Sequence, residues 1–220
     1  MLWVQADSYG EGGSSRIISK SNTGQTNGAW LLRIGGRGAI QFAKDYQTND
    51  LQRSSNHAVL RTDGTWQHVA ITWTGSVGFT SVRIYSDGQE VLYGVLSGNA
   101  TGNYISDTSM ALVLGNQNDA TRTFDGRIAH AHLFRQVLTG DQIRQVMSFP
   151  ASVLPLGVAG ASTAGLIGYW PMYGLSANEP DLSGNGFTGV VTSAPFDRRE
   201  PPVNAPFVMA APAMHGGIGG

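Results

Sequence analysis

The strongest constraint in this chain is a series of short alternating segments punctuated by turn residues. Between residues 66 and 74, Val69, Ile71 and Trp73 fall on one side of an extended backbone. Val82 and Ile84 then alternate with Arg83 and Tyr85, and Asp87-Gly88 follows. Asp-Gly after such an alternation reads as a two-residue hairpin turn, because both central residues must take positive φ. Gly35-Gly36-Arg37-Gly38 supplies a second turn, between residues 29–34 and 39–43. Residues 2–6, 16–20 and 111–115 also read as strands. So does 127–135, with Ala129, Ala131 and Leu133 on one face and Ile128, His130, His132 and Phe134 on the other. After Asp87-Gly88, residues 91–93 are expected to return as the partner strand.

One helix is predicted. Thr139 can cap its N-terminus and Gln142 sits three residues on, the spacing of a capping box. Ile143, Val146 and Met147 then form an apolar stripe, and Pro150 ends it. Composition agrees with a mainly β chain. Charged residues are 13% of the 220 and glycines number 30, which favours short strands and tight turns over long helices. One all-β domain of this length can bury a full core.

Composition also excludes whole classes of function. The net charge is −1 and no basic stripe is present, so the electrostatic drive for nucleic-acid binding is missing. There is no cysteine, which removes disulfides, thiol nucleophiles and cysteine zinc sites. That absence favours a bacterial or viral chain over a small secreted eukaryotic domain. No apolar run reaches the roughly 18 residues of a membrane helix, and no basic and apolar leader follows Met1.

Several segments, in order, carry a family resemblance. They are Trp66-Gln67-His68-Val69-Ala70-Ile71-Thr72-Trp73, the Asp87-Gly88 turn, Leu114-Gly115-Asn116, Phe124-Asp125-Gly126-Arg127-Ile128 and the helix-capping Leu138-Thr139. Their succession resembles the laminin G-like, pentraxin-type branch of the concanavalin A-like jelly-roll lectins. Leu166-Ile167-Gly168-Tyr169-Trp170-Pro171, with Asp181-Leu182-Ser183-Gly184-Asn185-Gly186, resembles the opening segment of such domains, yet here it follows the body. The resemblance covers most of residues 1–148 and 166–192. It implies an all-β, two-sheet antiparallel jelly-roll sandwich of six or seven strands per sheet. One short helix and an extended C-terminal tail complete the expected architecture.

The chain departs from the family pattern at Ala129 and His130, where acidic residues are common, and no opening strands precede residue 1. The late segment is expected to supply those strands, either within one chain or by exchange between chains. The expected organisation is a jelly roll over 1–193, comprising a body (1–148), a small-residue linker (151–165) and completing strands (166–192). A Pro/Ala/Gly-rich tail occupies 194–220.

The resemblance implies a binding or assembly function and no catalytic residue. Related sugar hydrolases carry a Glu-x-Asp-x-x-Glu strand, and that pattern is absent from this chain, whose four glutamates are read as lying in turns or loops. His130 and His132, two apart on a strand, could share a metal but lack a third ligand in sequence. Calcium is the ion the resemblance implies. Asp181 and Asn185, with Asp125, are its candidate ligands, set against the reading that Asp181 and Asn185 simply build a turn. No other cofactor is expected. Trp3, Trp30, Tyr46, Tyr93 and Tyr104 are the pool of aromatics that could stack on sugars.

Domains with the late segment resemble bacteriophage structural proteins. The leading expectation is therefore a virion component, a capsid decoration protein or fibre, that assembles with copies of itself or other virion proteins. Its tail would anchor through Phe196, Phe207, Val208 and Met209. The alternative is a carbohydrate-binding lectin module, calcium-dependent or not, acting outside the cell or at its surface, with glycans as partners. Neither reading involves nucleic acid or membrane.

Overall fold

The computed structural model describes residues 1–21, 29–150, 165–172, 174, 177–195 and 199–203. Two antiparallel sheets pack face to face. The first contains β1 (Leu2–Ala6), β6 (Gln67–Trp73), β7 (Val82–Ser86), β8 (Gln89–Glu90) and β11 (Gly126–Ala129), in the order β11-β1-β6-β7-β8. The second contains β2 (Arg16–Lys20), β3 (Trp30–Gly35), β4 (Ala39–Lys44), β5 (Leu51–Ser55), β9 (Tyr93–Gly98) and β10 (Leu112–Leu114), in the order β10-β2-β3-β4-β5-β9. The all-β sandwich with one helix expected from the sequence is the architecture found, with five strands in the first sheet rather than the six or seven expected and six in the second.

Period-two alternation fixes the core. Leu2 and Val4, Leu32 and Ile34, Ile40, Val69 and Ile84 all turn between the sheets and are buried. The Asp87-Gly88 turn has φ values of 48° and 75°, as a hairpin of this kind requires. Asp87 also ties the turn to its surroundings, accepting from the His68 N–H at 2.9 Å and from Arg61 at 2.9 Å. The return strand is β8, at residues 89–90 rather than the expected 91–93. Tyr93 instead opens β9, which crosses to the other sheet and pairs with β5.

β12 (Ala131–Phe134) continues the line of β11 after a break at His130, whose φ is 48°. The break acts as a one-residue bulge and reverses the alternation. Ile128, expected to share a face with His130 and His132, packs into the core with Ala131 and Leu133 instead. The His132 N–H donates to the Met1 carbonyl at 2.8 Å, so β12 remains joined to the first sheet. β13 (Leu166–Trp170) pairs antiparallel with β12 in the register Ala131↔Trp170, His132↔Tyr169 and Leu133↔Gly168. The displaced Tyr169-Trp170 segment thus extends the sheet of its own chain. β14 (Asn178–Glu179) and β15 (Gly189–Val190) form a two-residue ribbon, the second and shorter part of the completing strands expected within 166–192.

α1 (Gly140–Ser148) begins with the predicted capping box. Thr139 Oγ1 accepts from the Gln142 N–H, and Gln142 Oε1 accepts from the Thr139 N–H at 2.9 Å. Ile143 and Val146 are fully buried against Ala70, Tyr85, Leu138, Leu166 and Tyr169. The helix therefore covers the outer face of the first sheet, and at roughly 1.5–3 kcal/mol per buried large apolar side chain this second layer is a main stabiliser. The expected linker (residues 151–164 of it) and Phe196, Phe207, Val208 and Met209 lie outside the described residues.

Candidate functional site

The residues singled out in sequence fall in two places. Asp181 Oδ1 accepts from the main-chain N–H of Tyr169 (3.0 Å) and of Ser183 (2.9 Å), and Oδ2 accepts from that of Phe187 (2.9 Å). Burial alone would raise its pKa, but these N–H donors and the Ser183 hydroxyl outweigh it and hold the carboxyl below its ordinary value of 3.8. The Asn185 amide donates to the Leu166 and Ile167 carbonyls at 2.9 and 3.0 Å. The pair therefore locks the 181–187 turn onto β13. Asp125 sits before β11, where its Oδ2 accepts from Ser8 Oγ at 2.7 Å. Calcium takes six to eight oxygen ligands. Three of the roughly four acceptor positions of Asp181 are already taken by N–H donors, so this trio fits such a shell poorly.

His130 and His132 also act locally. His130 Nδ1 lies 2.9 Å from Tyr169 Oη. The two ring nitrogens of His132 lie 2.9 Å from the carbonyls of His130 and Pro150, and its ring stacks on Tyr169 at 4.1 Å. Burial lowers the His130 pKa to about 4 and that of His132 to about 3. Neutral rings whose nitrogens face carbonyls and a phenol lock β12 to β13. Among the described residues no three His, Cys, Asp or Glu side chains gather closely enough to hold a metal.

The glutamates are likewise engaged. Glu90 lies on β8, where it ion-pairs with Arg83 and accepts from Tyr93 Oη. Glu179 lies on β14, is buried, and accepts from the Gly174 N–H. Both correct the expectation that every glutamate lies in a turn or loop. Glu11 accepts from the Thr123 N–H.

The site the sequence did not assemble is at one end of the sandwich, where residues 45–50, after β4, meet residues 99–108, after β9. Tyr46 and Asn49 bridge to Tyr104 and Thr101. The Thr101 N–H donates to the Asn49 carbonyl at 2.9 Å, and the Gln47 N–H to the Asn103 carbonyl at 3.1 Å. The two loops thus continue the sheet beyond its edge as a rigid pair. Gly102 makes this possible: its φ is 85°, and a Cβ there would lie 2.9 Å from the Thr48 nitrogen.

On this platform Tyr104 is 53% exposed although its ring is held on three sides. The buried Lys44 ammonium lies 4.4 Å over the ring, Tyr46 packs edge-on at 5.8 Å, and Tyr104 Oη donates to Asp107 at 3.1 Å. Asp107 also pairs with Lys20 at 3.4 Å. Burial lowers the Lys44 pKa while Asp107 and Asp45 oppose it, and burial together with Asp107 raises that of Tyr104. Around the ring the side chains of Gln47, Thr48, Asn49, Thr101 and Asn103 are exposed. A fixed aromatic surface ringed by amides and hydroxyls can hold the apolar face of a sugar ring while bonding its hydroxyls. Of the other aromatics in the pool, Trp3 and Tyr46 are buried, and Trp30 and Tyr93 are half-buried.

A cavity of about 640 Å³ lies between the sheets, lined by Trp30, Phe42, Trp73, Phe134 and Trp170 among others. Its walls are predominantly apolar, with Lys20, Thr72, Thr108, Arg135 and Gln136 among the polar side chains that line it. The loop platform, where an exposed aromatic is ringed by exposed amides and hydroxyls, matches the two faces of a saccharide better.

An antiparallel sandwich with a helix on one outer face has the architecture of a lectin-like jelly roll. The chain belongs to the concanavalin A-like lectin/glucanases superfamily, which residues 1–144 match. A stretch of 96 residues is 33% identical to the Rattus norvegicus protein "Sushi, von Willebrand factor type A, EGF and pentraxin domain-containing protein 1", covering 39% of this chain. The stretch spans 2% of that protein's length. A Bacteroides ovatus ATCC 8483 protein described as a candidate carbohydrate-binding protein superposes with a TM-score of 0.55 at 20% identity. That match covers 89% of this chain and 54% of the other. Mouse laminin α1 domains LG4-5 align with a TM-score of 0.43 at 20% identity, over 64% of this chain and 36% of the other.

Proposed function

We propose that this chain is a non-catalytic carbohydrate-binding module that acts outside the cell and engages saccharide at the Tyr104 platform. The observation that carries the reading is the half-exposed Tyr104 ring, clamped by Lys44, Tyr46 and Asp107 and surrounded by exposed amide and hydroxyl side chains. A rigid aromatic loses little conformational freedom on binding. The superfamily membership and the fold shared with the candidate carbohydrate-binding protein support the same reading.

Glycan-array screening followed by calorimetry tests it. Tyr104→Ala is expected to weaken binding of the best array hit about tenfold, as for the loss of a stacking contact of about 1.5 kcal/mol. The melting temperature should fall by no more than a few degrees, because about half of the residue is in solvent. Unchanged affinity would move the site elsewhere. A chelator arm decides the calcium question. Binding lost in chelator and restored by calcium would make calcium part of the binding, and repeating it with Asp181→Asn and with Asp125→Asn would show whether either carboxylate holds the ion; binding that persists leaves Asp181 and Asn185 as turn builders. A virion assembly role stands on the tail anchors, and its test is the tail deletion argued in the Discussion.

A further inference from the structure

A second polar cluster lies away from the Tyr104 platform, on the outer face of the second sheet. Leu32 and Ile34 point into the core, so Arg33 between them points out. Arg16 is directly opposite it across the β2–β3 ladder. Arg122 enters from the loop after β10. Its main-chain carbonyl accepts from the Arg16 N–H at 2.9 Å, and its side chain lies over Gly12, where a Cβ would meet Nη1 at 2.9 Å. Burial first, then Arg33 and Arg122, disfavour the charge of Arg16, and burial with Arg122 disfavours that of Arg33.

Among the described residues their charge is only partly balanced. Arg16 is 1% exposed, its Nη1 donates to the Ser14 carbonyl and hydroxyl, and its buried Nε has no acceptor among the described residues. Arg33 Nε donates to Gln41 Oε1 at 2.8 Å, a neutral partner. Among the described residues Asp119 is the carboxylate that favours the charge of Arg16, and it also accepts from Gln117 Nε2 and from the Thr121 N–H and hydroxyl, so one negative charge faces three guanidiniums. A buried cation with an orphaned donor, flanked by two more cations, is costly unless an anion joins it.

We propose that Arg33 and Arg122, half-buried above Arg16, bind the carboxylate or sulfate ester of an acidic saccharide. The saccharide part of this inference rests on the carbohydrate-binding reading above. The anion part stands on the arginine geometry alone. Paired guanidiniums present planar forks that match such oxyanions, which an ammonium cannot do.

The test uses the full chain. Calorimetry compares an oligogalacturonate with its methyl ester, for the wild type and for Arg33→Gln, Arg122→Gln and Arg33→Lys. Arg37→Gln, an exposed arginine in the β3–β4 turn, serves as control. In parallel, melting temperatures are read in sodium sulfate and in sodium chloride at matched ionic strength. The acid should bind about tenfold or more tightly than the ester, and each Gln variant should remove that preference while Arg37→Gln retains it. Arg33→Lys should restore only part of it. Equal binding of acid and ester by the wild type, or a preference surviving both Gln variants, overturns the inference and leaves the Tyr104 reading intact. If neither saccharide binds, the carbohydrate reading fails for these ligands and the sulfate arm decides. A sulfate-specific rise in melting temperature that both Gln variants lose retains the anion site; no rise overturns it.

Discussion

Asp181 shows how a candidate ligand becomes a structural residue. Its two oxygens collect three main-chain N–H groups, from Tyr169, Ser183 and Phe187, that would otherwise lie unpaired beside β13. Asp181→Ala should therefore destabilise the fold by about 1–3 kcal/mol, and Asp181→Asn by less, because Asn keeps one acceptor oxygen. The pH dependence separates the two. The folded-state pKa is depressed below 3.8, so the ionised carboxylate contributes stability that is present above 3.8 and lost as pH falls through the lower folded value. The gap in unfolding free energy between wild type and Asp181→Asn should be full at neutral pH and shrink as pH drops below about 4. A gap that stays constant down to acid pH would deny the carboxylate this role. The local half of this turn was legible in sequence, since Asp181 takes the Ser183 N–H two residues on. Its bond to Tyr169 and those of Asn185 to Leu166 and Ile167 reach back to β13 and left no mark in the turn motif. Tyr104 was legible only as one of five aromatics. Its partners Lys44 and Tyr46 are nearly sixty residues away, and only the pairing of two loops joins them.

At the level of elements, those with local signals matched the sequence and those stabilised by distant contacts did not. β1 and β2 fall where alternation placed them, and α1 starts at its capping box. β5 announces nothing: Leu51-Gln52-Arg53-Ser54-Ser55 has one apolar residue. It pairs nonetheless, because Arg53 turns inward, donates to the Phe79 and Val82 carbonyls, and stacks on Tyr93 at 3.4 Å. Its guanidinium and stem fill space that a hydrophobe would normally occupy, which a pattern of apolar residues cannot reveal. The reversal at His130 escaped for a related reason, since a bulge leaves no mark in an alternation rule. α1 gives the prediction proper to this scale. Its box satisfies N–H groups at the exposed cap itself, although Leu138 beside it is buried, so Thr139→Ala should cost about 1 kcal/mol in chemical denaturation and Gln142→Ala less. Equal stability of Thr139→Ala and wild type would show that the buried Ile143 and Val146 hold the helix unaided.

For the whole molecule the question is what the late segment contributes. β13 covers the free edge of β12, and it delivers Trp170 to the main core and Leu166 and Tyr169 to the layer under α1. Each of these is at least nine-tenths buried. Losing three large side chains at about 1.5–3 kcal/mol each would remove a sum comparable to the whole stability of a domain. It would also expose a strand edge and leave His132 without its stacking partner. Truncation after Pro150 should therefore give an unfolded or aggregating product, although it retains every residue of the superfamily match at 1–144. Truncation after Ser193 removes none of these contacts and should leave the melting temperature within a few degrees of wild type. The pair of truncations, followed by circular dichroism and sedimentation, separates folding from assembly. A folded 1–193 chain that no longer associates, beside a full chain that does, would give the tail the anchoring role expected of Phe196, Phe207, Val208 and Met209. Identical sedimentation of the two would leave the chain as a binding module alone. A folded, monomeric 1–150 chain would refute the closing role of β13, and with it the reading that residues 166–170 complete the sheet beside β12.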